Sequence, residues 1–121
     1  MTGPLREHGA LARGAFAVAV LVSLAVLFAP PSDVPSSPPG VDKLVHFSLF
    51  AVLAVTGRWA GVGRGVLTVL LLGYAGGSEL LQGTDLVDRD ASVGDLLADS
   101  AGVLAGLLLW RLIASRRRAT R

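Results

Sequence analysis

This sequence contains no cysteine. That excludes disulfides, thiolate metal sites and a cysteine nucleophile, and says nothing about redox compartment. It is also short of length for its composition. A chain of 121 residues allows one domain. A soluble domain of that size has too much surface for its volume to hide a composition that is 52% hydrophobic, with a mean hydropathy of +0.62. Lipid can take the place of the missing core. Charge is scarce within the long apolar runs, and no hydrolase signature appears.

What is present is four apolar segments. The first is LARGAFAVAVLVSLAVLFA, residues 11–29, stopped by Pro30 and Pro31. The second follows Asp42 and runs LVHFSLFAVLAVTGRW to Trp59. The third is GVLTVLLLGYAGGSELL, residues 65–81, and the fourth VGDLLADSAGVLAGLLLWRLIA, residues 93–114. At 1.5 Å per residue such helices reach roughly 25 to 33 Å. That suits a hydrocarbon core of about 30 Å. The expected fold is all-α: a four-helix transmembrane bundle. The first segment has the basic flank and apolar run of a signal peptide. It ends LFAPPS, however, with Leu27 where cleavage wants a small residue, so an uncleaved membrane helix is expected.

The bases give the orientation. With four spans, one side carries both termini and the loop between the second and third helices. That side holds Arg6, Arg13, Arg58, Arg64, Arg111, Arg116, Arg117, Arg118 and Arg121, nine of the eleven Lys and Arg. The other side holds Lys43 and Arg89. Both termini are therefore expected in the cytoplasm, with Trp59 and Trp110 near that interface. The terminal SRRRATR reads as a topology signal and a contact for anionic lipid rather than for nucleic acid. The chain divides into residues 1–29 (N-terminus and first helix), 30–41 (a Pro-rich outer loop), 42–114 (a three-helix core) and 115–121 (a basic tail).

Eight of the nine acids, all but Glu7, fall in the outer half. Asp85, Asp88 and Asp90 suit a solvated loop. Glu79, Asp95 and Asp99 lie within or at the edge of apolar helices, where an ionisable group costs roughly 2.5 to 3.5 kcal/mol and seeks a partner. Asp95, Asp99, Gly102 and Gly106 share one helix face. The two glycines form a G-x-x-x-G that lets another helix come close, whereas Leu107 falls on another face. Asp42 and His46 stand four apart with Lys43 beside them, and Glu79 and Gln82 three apart. Ser92 with Asp95 resembles a capping box, which gives Asp95 a purely structural alternative. Helices two and four would both present N-termini outward, where partial positive charge favours anions. The expected site is one outer polar pocket of Asp42, Lys43, His46, Glu79, Gln82, Arg89, Ser92, Asp95 and Asp99. It would receive a phosphate-bearing head group, through a divalent cation on the carboxylates if one is bound. A structural ion-pair network is the alternative.

The ordered pattern of DKLVHF, then ELLQ, then Arg89, Ser92 and Asp95 as R-x-x-S-x-x-D, then the small face through Gly102 and Gly106, resembles the VanZ-like family of small bacterial membrane proteins. The likeness runs from Asp42 to about Gly106. It implies family motif positions at Asp42, Lys43, His46, Glu79, Gln82, Arg89 and Asp95. Asp99 departs from the pattern, since Asn is commoner there; a second acid makes two neighbouring carboxylates that would share a proton or a cation. The family's namesake is linked to resistance to the glycopeptide teicoplanin, whose target is a lipid-linked cell-wall precursor. The resemblance thus implies a multi-pass protein of the bacterial plasma membrane, working in the cell envelope. Three functions stay open. One is binding of an anionic lipid or lipid-linked precursor. Another is an enzyme with His46 or Glu79 as general base and a cation held by Asp95 and Asp99. The last is a proton-linked transporter in which Glu79 and Asp99 titrate, although the third helix offers only Thr68 and Tyr74 to continue a path inward.

Overall fold

The computed structural model describes residues 9–28, 40–82 and 93–119. Among them there are four helices and no strand: α1 (Ala10–Leu27), α2 (Val41–Trp59), α3 (Arg64–Gln82) and α4 (Val93–Ala119). The all-helical class agrees with the expectation. Two of the helices, α1 and the Gly94–Arg116 stretch of α4, are long and apolar enough to cross a membrane.

The helix ends follow from local chemistry. Phe28 closes α1 by donating its N–H to the Leu24 carbonyl, and Pro30 and Pro31 follow, neither able to continue a helix. The α2–α3 connection is a Schellman turn. Gly61 takes φ 101°, its N–H bonds the Arg58 carbonyl, and the Val62 N–H reaches back to Gly57. That left-handed step suits glycine, which has no Cβ to clash. α4 runs past Ala114 to Ala119, so the basic segment begins as helix. Arginine is a good helix former, and its charge is favourable at a helix C-terminus.

Helix directions alternate. The pairs Lys43–Asp95, His46–Asp99, Phe47–Gly102 and Ala51–Gly106 rise together along both chains, so α2 and α4 are parallel. Gly57 against Leu67 and Phe50 against Tyr74, ring centroids 5.6 Å apart, make α3 antiparallel to α2. Phe16 meets Gly57 from α1. Leu27, Phe50, Leu53, Ala54, Leu67, Leu71, Ala75 and Val103 form one buried core drawn from all four helices.

The closest packing joins α2 to α4, and two glycines allow it. A Cβ on Gly102 would run into the Phe47 carbonyl oxygen and stand 3.1 Å from Phe50 Cβ. One on Gly106 would run into the Ala51 carbonyl oxygen and stand 2.6 Å from Ala54 Cβ. Backbone cannot yield to a side chain there, so both positions require glycine. Leu107, expected on an uninvolved face, instead packs against the core from the side; a neighbouring position one step round a helix still touches a core that wraps it. Leu108 is the exposed one.

The outer surface of the bundle is apolar. Leu21, Leu44, Val69, Leu80, Leu97 and Leu112 are exposed, with Leu80 at 76% and Val69 at 71%. These side chains come from all four helices. Scattered exposed leucines are ordinary on soluble proteins, but an apolar surface on every helix is not.

Candidate functional site

Charged side chains gather at the end of the bundle where α2 and α4 begin. Lys43 Nζ donates to Asp95 Oδ1 at 2.5 Å. His46 Nδ1 stands 2.7 Å from Asp99 Oδ1. His46 Nε2 lies 3.7 Å from Asp95 Oδ2, too far for a hydrogen bond and close enough for an ion pair when the ring is protonated. The result is a continuous strip, Lys43–Asp95–His46–Asp99, with two members on each helix.

The parallel pairing of α2 and α4 explains the strip. Lys43 and His46 are three apart and Asp95 and Asp99 four apart, so each pair lies on one face of its helix. The glycine contacts one and two turns further along hold those faces together. Without that close approach the carboxylates and their partners would stand apart.

Burial sets the electrostatic stakes. His46 is 1% exposed and Asp99 fully buried. Asp95 is buried too, while the Lys43 side chain is 44% exposed. The strip therefore grades from a closed end at His46–Asp99 to an open end at Lys43. Asp99 Oδ2 is buried with no hydrogen-bond partner among the described residues. When His46 carries its proton on Nδ1, it donates to Asp99 Oδ1, and that bond fixes the ring's tautomer and orientation. Asp95 lies in the first turn of α4, where the helix dipole favours an anion.

The remaining expected residues divide. Glu79 is buried near the end of α3, beside buried Ser78. Arg89 and Ser92 lie outside the described residues, as do the loop acids Asp85, Asp88 and Asp90. Asp42 and Gln82 fall within α2 and α3, their side chains outside the description. The structure thus brings together Lys43, His46, Asp95 and Asp99, and sets Glu79 in the buried part of α3. Among the described residues, no group of three His, Cys, Asp or Glu side chains is disposed to hold a metal ion.

One polar contact was not anticipated. Ser23 of α1 is fully buried, and its hydroxyl is 2.9 Å from the Tyr74 hydroxyl of α3. Ser23 also donates to the Val20 carbonyl at 2.7 Å, so in that arrangement Tyr74 donates to Ser23. The available signal was a lone serine in an otherwise apolar run, facing the one tyrosine in the chain.

Comparison with models of protein families, with curated proteins and with solved structures finds no match to this chain.

Proposed function

We propose that this is a four-span protein of the bacterial plasma membrane, VanZ-like in its motif, with both termini in the cytoplasm. In this reading its outer polar strip binds the phosphate-bearing head group of an anionic lipid or a lipid-linked cell-wall precursor. The observation that carries the proposal is a buried ionic network, open at Lys43, at one end of a bundle whose exterior is apolar on every helix.

The membrane part rests on cost. Exposed leucine and valine on four helices are unfavourable in water and favourable in lipid. α1 contributes Leu27 to the core and Ser23 to a contact with α3, which supports a retained helix over a cleaved leader. Alternating helix directions agree with the nine-to-two split of bases that favours cytoplasmic termini.

The binding part rests on what an anion would meet. α2 and α4 are parallel, so both of their N-termini, with the partial positive charge of a helix start, lie at the strip's end. Lys43 is half open and held by Asp95; a phosphate oxygen entering there exchanges with that carboxylate. Arg89, close in sequence to Asp95, supplies a planar fork suited to phosphate. Since teicoplanin's target is a lipid-linked precursor, the same pocket would connect the chain to glycopeptide resistance.

One observation favours a second reading, an enzyme acting on a lipid-linked phosphate. A carboxylate on His46 Nδ1 is how a general base is oriented. Proton-linked transport has less support: neither α2 between His46 and Arg58 nor α4 between Asp99 and Arg111 carries an ionisable side chain.

The test is lipid analysis of the purified protein. The binding reading expects a phosphate-bearing lipid enriched over the bulk membrane and lost in Arg89→Ala and Lys43→Gln variants of normal folded yield. Conversion of that lipid by the purified protein would move the assignment to the enzyme. No enrichment in the parent protein would end the binding reading.

A further inference from the structure

A second polar feature lies at the opposite end of the bundle. A groove of about 470 Å³ is lined by Arg58 at the end of α2, Arg64 at the start of α3, and Trp110, Arg111 and Ala114 on α4. Its other wall is Leu104, Leu107 and Leu108. Three arginines from three helices thus line one space, and no carboxylate lines it among the described residues.

The groove is divided by chemistry. Its leucines lie one to two turns along α4 from Arg111, toward the middle of the helix, so an apolar floor leads to a basic head. Trp110 is 5% exposed and lines the groove beside Arg111. Arg58 is itself fixed, donating from Nη1 to the Val62 carbonyl at 2.9 Å within the α2–α3 turn. One of five N–H donors is used there, and a guanidinium offers the others in a planar fork that fits phosphate. Arg64 and Arg111 are exposed side chains, able to close on a ligand.

We infer that this groove binds an anionic phospholipid: its phosphate between Arg58, Arg64 and Arg111, and its acyl portion along Leu104, Leu107 and Leu108. Unshielded positive charge from three helices converging on one space is unfavourable by itself and is relieved by a bound anion. A free phosphate would satisfy the arginines and leave the leucine wall in water; a zwitterionic lipid would fill the wall and leave the arginines uncompensated. An anionic phospholipid does both. This site is separate from the Lys43–Asp99 strip and stands or falls independently of it. With the termini in the cytoplasm, the lipid comes from the inner leaflet, where clustered basic residues meet anionic head groups.

The experiment is native mass spectrometry of the full chain in detergent. The protein is titrated with phosphatidylglycerol, then with phosphatidylcholine of the same chains, then with phosphatidylglycerol in the presence of inorganic phosphate. Selective retention of phosphatidylglycerol, undisturbed by millimolar phosphate, is expected. An Arg64→Gln/Arg111→Gln variant should lose about twenty-five-fold in retention, at roughly fivefold for each arginine near a lipid surface. A Leu44→Ala variant, at an exposed position near the start of α2 and away from the groove, should retain phosphatidylglycerol as the parent does. Equal retention of the two lipids by the parent protein overturns the proposal without recourse to any variant. So does undiminished retention by a folded double variant. Displacement by inorganic phosphate at comparable concentration assigns the arginines to free phosphate and overturns the lipid.

Discussion

His46 Nδ1 stands 2.7 Å from Asp99 Oδ1, with both side chains closed off inside the bundle. The pair joins α2 to α4 one turn inward of the Lys43–Asp95 contact. It is the closed end of the strip, and neither partner can turn to solvent for compensation. Removing one member of a buried pair therefore costs more than the pair contributes, because the other is left uncompensated.

That asymmetry makes a prediction about Asp99. Asp99→Asn keeps the size and an oxygen that accepts from His46, and it replaces a buried carboxyl group with a neutral amide. It should fold with stability equal to or above the parent. Asp99→Leu strands His46 and should cost about 3 to 5 kcal/mol. Detergent unfolding followed by circular dichroism would separate the two. Similar large losses for Asn and Leu would mean that the negative charge itself holds the helices together.

The glycine contacts predict a steeper effect. Gly102→Leu and Gly106→Leu drive a side chain into the α2 backbone, so α4 must move away and the Lys43–Asp95 and His46–Asp99 contacts must part. Each should lower folded yield severely. Even Gly106→Ala should be damaging, since the obstacle is the Ala51 carbonyl oxygen rather than a movable side-chain tip. Leu108→Ala, on the exposed side, is the control and should change stability by less than about 1 kcal/mol. A Gly106→Ala protein as stable as the Leu108→Ala control would argue against the close crossing.

These two features also mark what the sequence made legible. Asp95, Asp99, Gly102 and Gly106 repeat at helical spacing, so their common face was readable before any tertiary information. Lys43 and His46 were readable as polar residues at a matching depth on α2. The pairing itself, Lys43 to Asp95 and His46 to Asp99, depends on the register between two helices, which periodicity does not encode. The burial of Trp110 and the arginine groove were missed for a similar reason. A topology rule counts Arg58, Arg64 and Arg111 as charges on one side, without asking which space they share. Ser23–Tyr74 was missed because each is flanked by apolar residues on its own helix, and only packing brings them together.

That contact has its own test. Ser23→Ala, Tyr74→Phe and the double variant form a cycle across α1 and α3. The coupling should be favourable by about 0.5 to 1.5 kcal/mol, the range for a hydrogen bond between helices in apolar surroundings. Phe at position 74 keeps the ring that faces Phe50, so the cycle reads the hydroxyl alone. Additive effects would show that α1 is held by its apolar face only.

The absence of cysteine offers a clean measurement of the proposed topology. Ser36→Cys and Thr84→Cys place single thiols in the two segments expected outside, and Gly63→Cys and Thr120→Cys place them on the expected cytoplasmic side. In intact cells an impermeant maleimide should label the first two and spare the last two; after permeabilisation all four should react. The argument behind the expectation is electrostatic: with four spans, nine of the eleven bases would lie on the side that carries Gly63 and Thr120, and basic residues resist transfer outward. Labelling of Thr120→Cys in intact cells would reverse the bundle. The Lys43–Asp99 strip would then face the cytoplasm and the arginine groove the outer leaflet, and a precursor head group presented outside could no longer reach the strip. Labelling of Ser36→Cys and sparing of Thr84→Cys would leave α2 or α3 uncrossed and remove the four-span arrangement altogether.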